Sequence, residues 1–125
     1  MTIRELVHIL SGEVVSGEDK LDKIVEDFAA TDLLSDVLAI EKENYALMTG
    51  LTNAQILRTA EITNACCVVI VRNTQPKQPA ITLARRSGIP LVLSPYTMFD
   101  ACCRVSRFLE KQNGGVARTS NPSGT

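Results

Sequence analysis

Hydrophobic residues fall in short blocks along this chain, and their spacing changes from block to block. Ile3, Leu6, Val7 and Leu10 recur at i, i+3, i+4 and i+7, one face of a short helix. Thr2 and Glu5 form the pattern of a capping box before it, and Ser11-Gly12 closes it. Glu13-Val14-Val15 reads as a short strand and Ser16-Gly17-Glu18-Asp19 as a turn. Lys23 to Ala30 reads as extended, anchored by Ile24 and Phe28. Thr31-Asp32 is expected to cap a helix at 32–38 whose apolar face is Leu33, Leu34, Val37 and Leu38.

The middle of the chain carries three continuous apolar runs: Ala46-Leu47-Met48, Cys67-Val68-Val69-Ile70-Val71 and Pro90-Leu91-Val92-Leu93. They predict strands over Tyr45–Gly50, Cys66–Val71 and Leu91–Leu93, buried on both faces. Helical patterns follow each one. Thr52-Asn53-Ala54-Gln55 reads as a second capping box, starting a helix to about Thr63. Pro79 stands at a first helical position, Ala80, Leu83 and Ala84 form the buried side, and Gly88 stops that helix. Thr97 and Asp100 cap the last helix, with Met98, Cys102, Val105 and Leu109 as its stripe and Phe99 and Phe108 beside it. Strands alternating with helices predict a three-layer α/β/α domain around a mainly parallel sheet. Residues 1–111 form that domain, and 112–125, rich in Gly, Ser and Asn from Asn113 on, read as a disordered tail.

A chain of 125 residues is one domain on length. It buries roughly two-thirds of its unfolded surface and needs no disulfide or metal to fold. The absence of Trp makes the core aliphatic. The net charge of −1 argues against nucleic acid or a polybasic membrane contact, which need clustered excess cations. No apolar leader region follows Met1, and no run approaches the roughly 18 apolar residues of a membrane span, so a cytoplasmic protein is expected.

Four cysteines form two adjacent pairs, Cys66-Cys67 and Cys102-Cys103. Neighbours on a strand point to opposite faces, and on a helix they diverge by about 100°. Neither pair is expected to hold an ion, and His8, the single histidine, lies off the apolar stripe of its helix. The cysteines read as small core residues, and no metal or cofactor is expected. A redox or iron–sulfur accessory role for them is an alternative.

Ligands of parallel α/β sheets sit outside the carboxyl ends of the strands. Thr49 and Asn53 follow the first apolar strand, Arg72 and Asn73 the second, Ser94 and Thr97 the third. Those six are the candidate ligand-binding residues, with Arg72 as the anion fork. Gly50, in Thr49-Gly50-Leu51-Thr52, is a weak further signal of an anion site. No phosphate-binding glycine loop, nucleophile elbow or nucleophile–histidine pair is present, so no catalytic residue is assigned. Phosphoryl or acyl transfer with Asp32 or Asp36 as base is the enzymatic alternative.

The order of elements and several phrases resemble the DRTGG-domain family in its small stand-alone form. The phrases are Thr2-Ile3-Arg4-Glu5-Leu6-Val7, the run Thr31-Asp32-Leu33-Leu34-Ser35-Asp36-Val37-Leu38, Gly88-Ile89-Pro90-Leu91, and Ser94-Pro95-Tyr96-Thr97-Met98-Phe99-Asp100. The resemblance spans about residues 1–111. It implies a fold similar to the N-terminal domain of HPr kinase/phosphorylase and a regulatory or accessory role without catalysis. It also implies pairing as a homodimer and a small-molecule ligand or a partner enzyme, of hydrogenase or signalling-kinase systems. Relatives sit beside CBS modules in regulated pyrophosphatases and beside phosphotransacetylase. Asp32, Leu33, Leu34, Ser35 and Val37 are the expected dimer contact. The chain departs from the family pattern at Ala29-Ala30, where relatives often have Gly-Gly, and at Asn53 and Arg72-Asn73, where relatives carry charged residues and glycines.

Overall fold

The structure, a computed structural model, describes residues 1–112. The expected tail from Asn113 onward lies outside the described residues. Among the described residues, five α-helices and five strands follow in the order α1 (Ile3–Ile9), β1 (Glu13–Ser16), β2 (Asp27–Ala30), α2 (Leu34–Leu38), β3 (Tyr45–Thr49), α3 (Ala54–Ile62), β4 (Ala65–Ile70), α4 (Gln78–Ser87), β5 (Leu91–Leu93) and α5 (Met98–Gln112). A 3-10 turn at Glu18–Lys20 separates β1 from β2. The strands form one sheet in the order β1-β5-β4-β3-β2. β2, β3, β4 and β5 run parallel, and β1 joins β5 antiparallel.

The alternation of side chains splits the core into two layers. Ala46, Met48, Val69 and Val92 face α1 and α5, where Ile3, Leu6, Leu10, Ala101 and Val105 are buried. Tyr45, Leu47, Val68, Ile70 and Leu91 face the other side, against Val37 of α2, Ile56 and Leu57 of α3, and Ala80 and Ala84 of α4. This is the three-layer α/β/α arrangement that the apolar runs predict.

Local chemistry sets the element ends. Thr2 and Glu5 form both bonds of the capping box, with Glu5 N–H to Thr2 Oγ1 at 3.1 Å and Thr2 N–H to Glu5 Oε1 at 2.8 Å. Asn53, not Thr52, caps α3, accepting from Ile56 N–H at 3.2 Å. Gly88 ends α4 with a φ of 76°. The N-terminal third differs from its sequence pattern at one anchor. Ile24 is 54% exposed, and Val25 is the buried anchor. Phe28, the other expected anchor, packs against the same layer as Val25, three residues away, so the chain before β2 is not a regular extended strand.

Both outer strands are edges. On β2, Lys42 Nζ donates to the carbonyl of Phe28 at 2.7 Å and to Asp27 Oδ1 at 3.2 Å. A lysine on an edge carbonyl blocks strand addition there.

Candidate functional site

The parallel strands bring the predicted residues to one sheet edge, where they do different work. Arg72 and Asn73 follow β4 in consecutive left-handed conformations, with φ of 65° and 55°. Such a conformation costs roughly 1–2 kcal/mol for a residue with a Cβ. The turn is held by backbone bonds, Arg72 N–H to the Tyr96 carbonyl at 2.7 Å and Asn73 N–H to that of Ser94 at 2.9 Å. Both side chains are left exposed.

The Arg72 guanidinium lies over Gly50, at the end of β3. A Cβ on Gly50 would meet the guanidinium, with Cζ at 3.2 Å, and Asp32 Oδ1 at 3.2 Å. Gly50 thus supplies room for a cation and an anion side by side. Asp32 is not the helix cap that its sequence position suggests. Its Oδ1 accepts from Gly50 N–H at 2.6 Å and from Thr49 Oγ1 at 3.5 Å, and Thr31 Oγ1 instead takes Leu33 N–H at 3.1 Å. A carboxylate therefore fills the backbone donor that a bound anion would use at Gly50. Among the described residues, the Arg72 guanidinium and Asp32 Oδ2 have no hydrogen-bond partner.

The other candidates are more committed. Thr49 is fully buried and accepts from Leu51 N–H at 3.1 Å. Asn53 and Thr97 are exposed and cap α3 and α5, Thr97 accepting from Asp100 N–H at 3.1 Å. Ser94 is fully buried, donates to the Leu10 carbonyl at 2.8 Å and accepts from Tyr96 N–H at 3.3 Å. Arg72, Thr49 and Asp32 thus meet around Gly50, while Ser94 faces α1.

At α2, Leu33 and Leu38 are 60% and 59% exposed, and Asp32 and Ser35 are exposed too. Leu34 is half-buried and Val37 is fully buried within the chain.

The cysteine geometry differs from the expectation of opposite faces. Tyr45 pairs with Ala65 but Ala46 pairs with Cys67, so Cys66 is the extra residue of a β-bulge. Cys66 and Cys67 consequently enter the same core layer and hydrogen-bond to one another. That bond lowers the Cys66 thiol pKa and raises that of Cys67, which burial raises further. Burial raises the Cys102 thiol on α5. No group of three or more metal-ligating side chains occurs among the described residues. No helix there is long and apolar enough to cross a membrane.

A second feature escaped the sequence reading. A cleft of 310 Å³ between α1 and α5 is lined by His8, Ile9, Ser11, Arg104, Arg107, Phe108 and Lys111. The spacing of Arg104, Arg107 and Lys111, at i, i+3 and i+7, was the available signal.

The DRTGG domain family matches residues 5–108. A similar solved structure is that of the CBS and DRTGG domains of the regulatory region of Clostridium perfringens pyrophosphatase, complexed with the activator diadenosine tetraphosphate. The TM-score is 0.69 at 15% identity, over 83% of this chain and 45% of that one. This chain therefore spans under half of that chain's length, and the likeness is one of fold. With the family match extending over nearly all of the described residues, the chain belongs to the DRTGG domain family.

Proposed function

We propose that this protein is a non-catalytic regulatory domain that senses a small nucleotide or phosphorylated ligand at the carboxyl edge of its sheet. The observation that carries the reading is Arg72, held on a strained turn with its guanidinium beside Asp32 over Gly50. Strain of this kind clusters where a site needs a fixed side chain. A guanidinium takes a phosphate bidentately, and the unpartnered Asp32 Oδ2 accepts from a hydroxyl such as a ribose offers. The regulatory region of the pyrophosphatase relative, complexed with a dinucleotide activator, supports a ligand of this class.

Nucleotides and phosphorylated metabolites should raise the melting temperature of the parent protein, because a ligand of the folded state stabilises it. Arg72→Ala should weaken the responding ligand roughly ten- to a hundredfold, the worth of a charge-assisted bond of about 1.5–3 kcal/mol. An undiminished response in that variant would remove the strand-edge site.

The domain is proposed to act as a homodimer, docking on a partner enzyme as its output. Lys42 blocks the β2 edge, whereas Leu33 and Leu38 expose apolar surface on α2. Light scattering at tens of micromolar should give a dimer mass, and Leu33→Glu with Leu38→Glu a monomer. A monomeric parent would refute the pairing.

A further inference from the structure

We infer that the cleft between α1 and α5 is a second ligand site, for a polyphosphate chain. Its charge departs from that of the whole molecule. The chain has 13 Lys and Arg against 14 Asp and Glu, yet Arg104, Arg107 and Lys111 share this cleft with His8 and no carboxylate lines it. Like charges at adjacent helix turns repel. None of the three cations is in an ion pair among the described residues. An arrangement of that kind is relieved by a multivalent anion.

The cleft is also built, rather than merely charged. Arg104 stacks on the Tyr96 ring, 3.9 Å from its centroid. The Tyr96 hydroxyl is hydrogen-bonded to Ser11 Oγ at 3.1 Å, and Ser11 is itself left-handed with a φ of 50°. One guanidinium is therefore oriented before any ligand arrives, which lowers the ordering cost of binding. Ile9 and Phe108 add apolar wall to a volume of 310 Å³, within the ordinary size of a small-ligand pocket. One concave site with three cations suits a di- or triphosphate group. It does not suit a nucleic acid, which needs a basic track along several phosphates.

The shared chemistry is the phosphate chain, from inorganic polyphosphate or a nucleoside polyphosphate. Calorimetry on the full chain, at fixed salt, should compare tripolyphosphate, ATP, adenosine, phosphate and an oligoglutamate peptide. Tripolyphosphate and ATP should bind, with adenosine and single phosphate at least tenfold weaker. Equal affinity would assign the site to the chain alone, and tighter ATP to a nucleotide whose base reaches Phe108. Arg107→Glu, at an exposed position, should weaken both at least thirtyfold without lowering the melting temperature. The cleft residues are distinct from those of the strand edge. In an Arg72→Ala background, the tripolyphosphate binding that remains should therefore still fall at least thirtyfold on adding Arg107→Glu, and the two readings fail separately. Three results would overturn the site: no tripolyphosphate binding at millimolar concentration, binding indifferent to Arg107→Glu, or preference for oligoglutamate.

Discussion

Gly17→Ala should destabilise the fold by about 3 kcal/mol or more, because two costs fall on the same atom. Gly17 has a φ of 81°, in the region where a Cβ is strained by roughly 1–2 kcal/mol. A Cβ there would also stand 2.8 Å from Pro90 N and 2.9 Å from Pro90 Cβ. Pro90 is buried at the entry to β5 and its backbone cannot swing aside. Its carbonyl accepts from Val68 N–H at 2.9 Å, in the middle of the sheet. The same turn is tied down by Lys20 Nζ to the Gly88 carbonyl at 2.8 Å. Domains of this size are stable by only about 5–15 kcal/mol in all, so the loss is large. Urea unfolding should show a lower midpoint at an unchanged slope. Gly17→Asn separates the costs, since asparagine tolerates the left-handed region but brings the same Cβ. A loss under 1 kcal/mol for Gly17→Ala would show that the turn is not seated on Pro90.

The parts of this fold legible in the sequence are those set by local or continuous signals. The runs in β3, β4 and β5 stand out because both faces are buried, and the Thr2–Glu5 box because its partners are three residues apart. Partners far apart in the chain are hidden from such patterns. β1 runs antiparallel because it pairs with β5, a strand about 80 residues later. Asp32 stands where a helix cap would, but the N–H of Gly50 lies 18 residues on and takes its carboxylate. Cys66 and Cys67 share a face only because β4 bulges opposite Tyr45 and Ala46. The strand-edge residues were legible as a set, since parallel strands must end together. Which of them stay free was not, because each donor and acceptor is claimed by a neighbour from another element. In the basic cleft, net charge averaged away a local excess, and His8 lies nearly a hundred residues from Arg104.

Ser94 presents the sharpest choice between these levels. As the residue that follows β5, it belongs with the ligand-binding candidates. Its surroundings give it a different task. The hydroxyl is fully buried, donating to the carbonyl of Leu10 at the end of α1 and accepting from Tyr96 N–H. It therefore fastens α1 to the sheet and shapes the loop that carries Tyr96. Ser94→Ala would leave a buried carbonyl short of its donor, at a cost of about 2–3 kcal/mol. For a domain of this size the melting temperature should fall by roughly 6–12 °C. The ligand-induced rise above that lower baseline should match that of the parent, unlike Arg72→Ala, which should keep the baseline and lose the rise. A variant that melts normally but no longer responds would place Ser94 against the ligand and dissolve the tie to Leu10. A fall in melting temperature with the response intact would separate the edge into Ser94, which holds the scaffold, and Arg72, which meets the solvent and what it carries.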